Sequence, residues 1–364
     1  MQLAFAITEY FPFGGAQRDF IAVAKAMAHR GHQITVITAA WQGDFPCGWQ
    51  KVIVSKAQFR TNHARLRALS DTVLAFQENH TFDAIIGFTK MAGLDIYFAA
   101  DPSFVATRYH GIKKCLPRYR VYAQIEQQMF ANKALKVFFL TQDQRLQYQR
   151  YFSVAAQNQQ MLPVTVEPEF HYDPVRYDAG RRWRQEHQPE SGRQVLLFVA
   201  ADFHTKGLDR VIRALQQLSS EEREKLALWI VGNGKQAKYD KALAALTGLH
   251  YTFWGGQTTT HHFYFAADVL VHPARKEAAG MVIAEALAAR LPVRISSVCG
   301  YRFLAEADPA SRILPVKNRV AALAQEIRQI SRMPLPLSRG QGGNGISRRP
   351  RADFCADQIE AWLR

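Results

Sequence analysis

Short apolar runs alternate along the chain with stretches of helical spacing. Five apolar residues, Leu3 to Ile7, lead to Pro12 and the pair Gly14-Gly15; Phe20, Ile21, Ala24 and Met27 then fall on one helical face, which stops at Gly31, and a β-branched run follows from Gln33 to Thr38. Strand, glycine-rich loop, helix, glycine stop and strand make a βαβ unit. Further strands are predicted at Val52 to Val54, Ala84 to Ile86 and Lys136 to Leu140. With helices between them, these strands require a parallel sheet covered on both faces.

The alternation fails from Val164 to Gln194, a polar and basic stretch that includes Arg181-Arg182-Trp183-Arg184, and the domain junction is placed at its start. A second series then begins. Strands are predicted at Val195 to Val199, Leu226 to Val231, Tyr251 to Trp254, Val269 to Val271 and Val293 to Ile295, with helices from about Gly207, after Gly234 and into Ala289. The segment from Met333 to Arg351 is rich in Pro, Gly and Arg and reads as loose, while Phe354 to Leu363 reads as a last helix. The resulting division is 1–164, 165–340 and a tail 341–364 that returns to the first domain. A chain of 364 residues suits two domains of about 150–200 residues each. The fold class is α/β, two doubly wound, Rossmann-like domains facing across a cleft.

Charge narrows the function. With 46 Lys and Arg against 31 Asp and Glu, the chain carries +15 at pH 7, which points to a polyanionic partner: nucleic acid, an anionic membrane surface or an acidic small molecule. Cys47, Cys115, Cys299 and Cys355 lack the spacing of a zinc site or a disulfide framework, so a reducing, cytoplasmic setting is expected. The run Leu3 to Ile7 has no basic segment before it and is followed by Glu9, a strand pattern and not a signal peptide. No stretch reaches the roughly 18 apolar residues of a membrane span, so membrane contact is expected to be peripheral.

The segment most informative about chemistry is His272-Pro-Ala-Arg-Lys-Glu277-Ala-Ala-Gly280-Met-Val-Ile-Ala-Glu285. It follows an apolar strand and enters an Ala-rich helix. Glu277 therefore belongs to the loop at the strand's carboxyl end, where open α/β sheets bind ligands, and Glu285 to the helix. The backbone amides of Gly280, Met281 and Val282, after Ala279, open that helix and suit a phosphate. One carboxylate on each side of this cradle can accept hydrogen bonds from hydroxyls on either side of a diphosphate.

Glu277 and Glu285 resemble the paired-Glu motif of glycosyltransferase family four, whose members are retaining enzymes of GT-B architecture. Within the family, the chain is most similar to the lipopolysaccharide-core heptose glucosyltransferases. The matching blocks are Tyr10-Phe-Pro-Phe-Gly-Gly-Ala-Gln-Arg-Asp-Phe20, Gly87 to Asp101, Asp202 to Arg210, Glu277 to Glu285 and Leu291 to Tyr301. The resemblance implies transfer of a hexose, glucose from UDP-glucose, to an inner-core heptose of a lipid-linked core oligosaccharide at the inner face of the bacterial inner membrane. It implies that Gly14 and Gly15 admit the donor diphosphate, that Lys206 binds its phosphates, that Asp101 lies near the transferred sugar, and that Asp19 belongs to the donor site. The chain departs from the family at Thr205, Gln257 and Phe170, where relatives carry Arg, and at His261. No Asp-x-Asp occurs, so no metal is expected; Lys206 and helix amides would meet the phosphate charge.

Between Phe104 and Lys133, the cations Arg108, His110, Lys113, Lys114, Arg118 and Arg120 interleave with Tyr109, Tyr119 and Tyr122. By residue type this suits an anionic lipid surface, RNA or a solvated helix pair; the resemblance implies the membrane, and no nucleic acid. Lys56, Arg60, His63 and Arg65 are candidates for acceptor phosphates. Two rival readings remain: a catalytically weakened scaffold, motivated by the departures, and a basic nucleic-acid-binding protein, motivated by the charge.

Overall fold

In the computed structural model of the chain, residues 1–12, 15–54, 60–107, 111–187, 192–334 and 339–364 are described. They divide into two units, Met1–Pro163 with Arg349–Arg364, and Val164–Arg348. The first holds a seven-stranded parallel sheet of β1 (Gln2–Tyr10), β2 (Gln33–Trp41), β3 (Gln50–Ile53), β4 (Ala84–Gly87), β5 (Ile96–Ala99), β6 (Lys136–Phe139) and β7 (Gln159–Met161), in the order β3-β2-β1-β4-β5-β6-β7. Its central strands are buried on both faces, which is why they read as unbroken apolar runs. The chain's last helix, Arg351–Leu363, packs on helix Gly15–His29 of this unit. Arg351 bonds both oxygens of Asp19 at 3.1 and 2.9 Å, and Arg30 pairs with Asp357 at 2.7 Å and Glu360 at 3.1 Å.

The second unit repeats the design with β9 (Gln194–Val199), β10 (Leu226–Val231), β11 (His250–Gly255), β12 (Val269–His272), β13 (Val293–Ser296) and β14 (Arg312–Leu314), ordered β11-β10-β9-β12-β13-β14. All pairs are parallel. Two short strands, β8 (Val164–Thr165) and β15 (Ile346–Ser347), form a separate pair. The strand order reverses between β9 and β12. A doubly wound sheet opens a crevice outside the carboxyl ends of the strands at such a point, because the connections on either side leave in opposite directions.

Two expectations require correction. The basic stretch after Val164 is not irregular: Pro174–His187 is a helix whose only fully buried residue is Gly180. It has no apolar stripe: apart from Trp183, charge holds it. Arg181 and Arg184 reach buried Asp268 at 3.1 and 2.8 Å, and a Cβ at Gly180 would lie 2.4 Å from Cβ of Phe265, so only glycine allows this approach to helix His261–Ala266. Nor is 339–348 loose. Arg339 donates to the carbonyls of Tyr264, Phe265 and Ala267, and a Cβ at Gly340 would meet Asp308 at 2.7 Å. The second unit therefore runs to Arg348, not to 340, and the segment returning to the first unit begins at Arg349.

The ring of Trp183 lies 4.6 Å from His262 and 5.1–5.7 Å from Phe263, Trp254 and Trp229. Burial among these rings lowers the His262 pKa to about 4, with the charges of His261 and His187 adding to the effect. The unfolded chain, with an ordinary histidine near 6.5, then binds more protons between those values, so stability falls as pH drops through that window. For a half-buried ring the loss is on the order of 1–2 kcal/mol after solvent screening. Denaturant midpoints between pH 7 and 4 should fall more steeply for the native chain than for His262→Gln; equal slopes would remove His262 as the cause.

Candidate active site

The loop after β9 is built around Asp202. Its carboxylate caps the four-residue helix Phe203–Lys206, accepting from the amides of His204 at 3.0 Å and Thr205 at 3.1 Å and from the Thr205 hydroxyl at 2.6 Å. Thr205 is thus part of a cap. Gly207 follows with φ 90°, and a Cβ there would stand 2.4 Å from the carbonyl oxygen of Pro273. This approach sets the loop after β9 against the loop after β12. Arg210 bonds the carbonyls of Pro273 and Ala274 at 2.9 and 3.1 Å, and Arg275 bonds the carbonyl of His204 at 2.6 Å while its fork grips Asp209 at 2.7 and 2.6 Å.

The lacing brings Lys206 and Glu277 together. Lys206 Nζ lies 2.7 Å from Glu277 Oε2, and His272 Nε2 lies 2.9 Å from the same oxygen. His272 is 1% exposed, and its buried Nδ1 has no hydrogen-bond partner. A proton on Nε2 is answered by Glu277, whereas one on Nδ1 would be a buried donor without an acceptor. Burial alone would raise the Glu277 pKa, but the hydrogen bond from His272, together with the charge of Lys206, outweighs it and holds the carboxyl below its ordinary range. The group stays ionised.

Gly280, with φ 98°, opens the eight-residue helix Met281–Ala288, and no side chain caps it. A Cβ at Gly280 would press on Ile283 at 2.8 Å and on Cγ of Glu277 at 3.1 Å. Gly280, where the helix starts, therefore sits beside Glu277. Ala279 fixes the turn, its carbonyl accepting from the amide of Tyr301 at 2.8 Å. Glu285 is 7% exposed and accepts from the Tyr264 hydroxyl at 2.6 Å. Two of the departing residues stand around that tyrosine: Phe170 lies 5.3 Å from its ring and 6.3 Å from His261. Gln257 turns back to the carbonyl of Trp254 at 2.6 Å. Cys299, bridged to the backbone of Glu277, is a poor nucleophile, since burial pushes its thiol up to about 12.

In the first unit, Gly15 begins a helix with open space where a side chain would be. Gly14 lies outside the described residues. Asp19 gives both carboxylate oxygens to Arg351, and burial still leaves its pKa raised against that opposing charge. Asp101 is exposed, and its backbone carbonyl is fixed by Gln144 at 3.1 Å and Tyr148 at 2.9 Å. The next turn is anchored by Glu126, fully buried, which accepts from the amides of Phe104 and Val105 at 3.0 and 2.9 Å. Arg65 pairs with Glu9 at 2.5 Å. Lys114, Arg118 and Arg120 are exposed, Arg118 standing 5.7 Å from the ring of Tyr122. Lys56, Arg108, His110 and the side chain of Lys113 lie outside the described residues.

Sequence reasoning named Lys206, Glu277 and Glu285 but missed His272 as a partner, Tyr264, and the arginines at 210 and 275. The position of His272, directly before Pro273 at the end of a strand, was the available signal. For the arginines there was none, because their partners lie 63 to 71 residues away.

The family described as glycosyl transferases group 1 matches residues 180–347. The lipopolysaccharide glucosyltransferase WaaG of Escherichia coli (strain K12) is 36% identical over 315 residues, 85% of this chain and 84% of that protein. A crystal structure of WaaG, a glycosyltransferase involved in lipopolysaccharide biosynthesis, superposes with a TM-score of 0.81 at 32% identity, covering 98% of this chain and 95% of the other. Anabaena Alr3699/HepE, solved with UDP and glucose, shares the fold alone: TM-score 0.65 at 18% identity over 100% of this chain and 97% of that one. The chain belongs to the group 1 glycosyl transferases and is a glycosyltransferase of GT-B fold.

Proposed function

We propose that this enzyme transfers glucose from UDP-glucose, with retention, to a heptose of the lipopolysaccharide inner core. The observation that carries the reading is the buried contact of Lys206 and His272 with one oxygen of Glu277, beside the amides of Gly280, Met281 and Val282 at the carboxyl edge of the second sheet. The similarity to the Escherichia coli lipopolysaccharide glucosyltransferase supports the acceptor class. In the structure Lys206 spends its charge on Glu277. A donor diphosphate would compete for that ammonium, freeing Glu277 to accept from hexose hydroxyls, while Glu285, oriented by Tyr264, would hold the ribose. The departing phosphate oxygen would take the acceptor's proton on the same face from which it leaves, as retention without a protein nucleophile requires. Asp101 would face the sugar, and Gly14, Gly15 and Asp19 would complete the donor site.

Removing one partner of a buried charged hydrogen bond costs roughly 2–3 kcal/mol, about 30- to 200-fold. Glu277→Gln and Lys206→Gln should lower kcat by about that factor, whereas Glu285→Ala should chiefly raise the dissociation constant for UDP-glucose. Assays with a donor panel and core oligosaccharide freed of its lipid measure both; native rates in Glu277→Gln would sink the assignment and favour the scaffold reading.

Lys206 and the helix amides supply the countercharge that a metal provides elsewhere. Transfer should continue in excess EDTA; abolition with recovery on adding manganese would show that a metal carries the diphosphate.

The acceptor is lipid-linked, and no described helix is long and apolar enough to cross a membrane. Peripheral docking at the inner face would fall to the exposed cations Lys114, Arg118 and Arg120 with Arg108 and Lys113, beside exposed Leu116. Each cation contributes about 1 kcal/mol near an anionic surface. Changing Lys113, Lys114, Arg118 and Arg120 to Gln should nearly abolish binding to anionic vesicles while sparing transfer to a soluble acceptor; vesicle binding that ignores lipid charge would overturn the docking assignment.

A further inference from the structure

A cavity of about 460 Å³ in the second unit is lined by four arginines, Arg210, Arg213, Arg275 and Arg319. Among the described residues the one carboxylate in contact with them, Asp209, is fully used: Arg275 takes both its oxygens at 2.7 and 2.6 Å, and Arg213 shares one of them at 2.6 Å. The other two guanidinium groups have no anion. Arg210 bonds only the carbonyls of Pro273 and Ala274, and Arg319, 8% exposed, bonds only the carbonyls of Pro315 and Ala274, both at 3.3 Å. Among the described residues no carboxylate lies within ion-pair distance of either.

The cavity is also closed by a helix end. Arg319 is the first residue of the fourteen-residue helix Arg319–Arg332, whose preceding residue, Asn318, has φ 55° and makes no capping hydrogen bond through its side chain. The first bond to Asn318 comes from the amide of Ala322 at 3.0 Å, so the amides of Arg319, Val320 and Ala321 have no acceptor within the helix. Val320 and Ala321 line the same cavity. Four guanidinium groups against one carboxylate leave an excess of three positive charges beside open amides and the positive end of a helix dipole. Holding like charges this close costs free energy unless an anion answers them.

We propose that this cavity binds a phosphoryl group carrying at least two negative charges, a phosphomonoester or diphosphate, at a site apart from the one formed by Lys206 and Glu277. A carboxylate would leave most of the charge uncovered, whereas phosphate oxygens match the forked donors of several arginines at once. Arg210, Arg275 and Arg319 all bond backbone at 204 or 273–274, so an occupant would also tighten the frame that holds Glu277.

The test is calorimetric titration with pyrophosphate at constant ionic strength, on protein saturated with UDP. Binding should persist under saturation and weaken about tenfold or more in Arg319→Gln. Arg213→Gln, an exposed change that leaves the bonds to the backbone at 204 and 273–274 intact, should weaken it as well, with UDP affinity unchanged in that variant. Lys206→Gln should do the reverse, losing UDP and keeping pyrophosphate. No binding under UDP saturation, or an Arg213→Gln variant that loses UDP and pyrophosphate together, would overturn the proposal. Should UDP itself fail to bind, the donor reading falls, and pyrophosphate binding by the native chain against Arg213→Gln still decides this one. Vesicles of phosphatidic acid, a lipid phosphomonoester, with phosphatidylcholine as control, separate the sources: arginine-dependent vesicle binding assigns a lipid headgroup, and binding of pyrophosphate alone assigns a soluble phosphoryl compound.

Discussion

The contact of one Glu277 oxygen with both Lys206 and His272 is the interaction on which the site depends. A carboxylate so nearly withdrawn from water survives as an anion only because two donors answer it. Each arrives by a different strand. His272 ends β12 and Lys206 follows β9, and these strands are neighbours in the sheet although some 70 residues separate them in sequence. The parallel order that makes them neighbours therefore creates the site. Gly207 and Gly280 then allow the backbone to close around it, one against Pro273 and the other against Glu277 itself.

Much of this was legible in the sequence, and the residues explain why. Strands buried on both faces, such as β1 and β9, announce themselves as apolar runs, and the glycines that end helices mark their limits. Lys206, Glu277 and Glu285 stood out because they lie in short motifs whose spacing is local. What could not be read was whatever depends on a distant partner. The helix Pro174–His187 has no apolar stripe because it is held by Arg181 and Arg184 on Asp268, an interaction invisible until β12 is placed. The segment 339–348 looked loose for its glycines, yet those glycines are where backbone packs tightly on Leu287 and Asp308. Composition rich in Gly and Arg signals either disorder or close packing around buried carbonyls, and only the partners decide which.

Asp19 illustrates the same limit from the other side. Position along the first helix and the family resemblance place it near the donor, while the structure gives both its oxygens to Arg351, 332 residues later. An aspartate so engaged secures the returning helix. It can also hold the start of helix Gly15–His29 in place, so its link to the donor would run through the loop that helix follows.

Thr205 shows how a lost cation changes the electrostatics without emptying the position. The family pattern that the sequence resembles has an arginine at this position, just before the lysine. Here the Thr205 hydroxyl completes the cap on Asp202, and the nearby guanidinium belongs to Arg275, across the loop. That guanidinium is committed to Asp209 and to the carbonyl of His204, so its charge orders the frame rather than a leaving group. The negative charge that grows on a departing diphosphate would then fall on one ammonium and a few fixed amides. Amides at a helix start are already oriented and need no reorganisation as charge develops, whereas in the proposed reaction Lys206 would first have to exchange Glu277 for phosphate. Under the proposed function the exchange would couple the two halves of the chemistry, the ammonium becoming available to a phosphate only as Glu277 becomes available to a sugar.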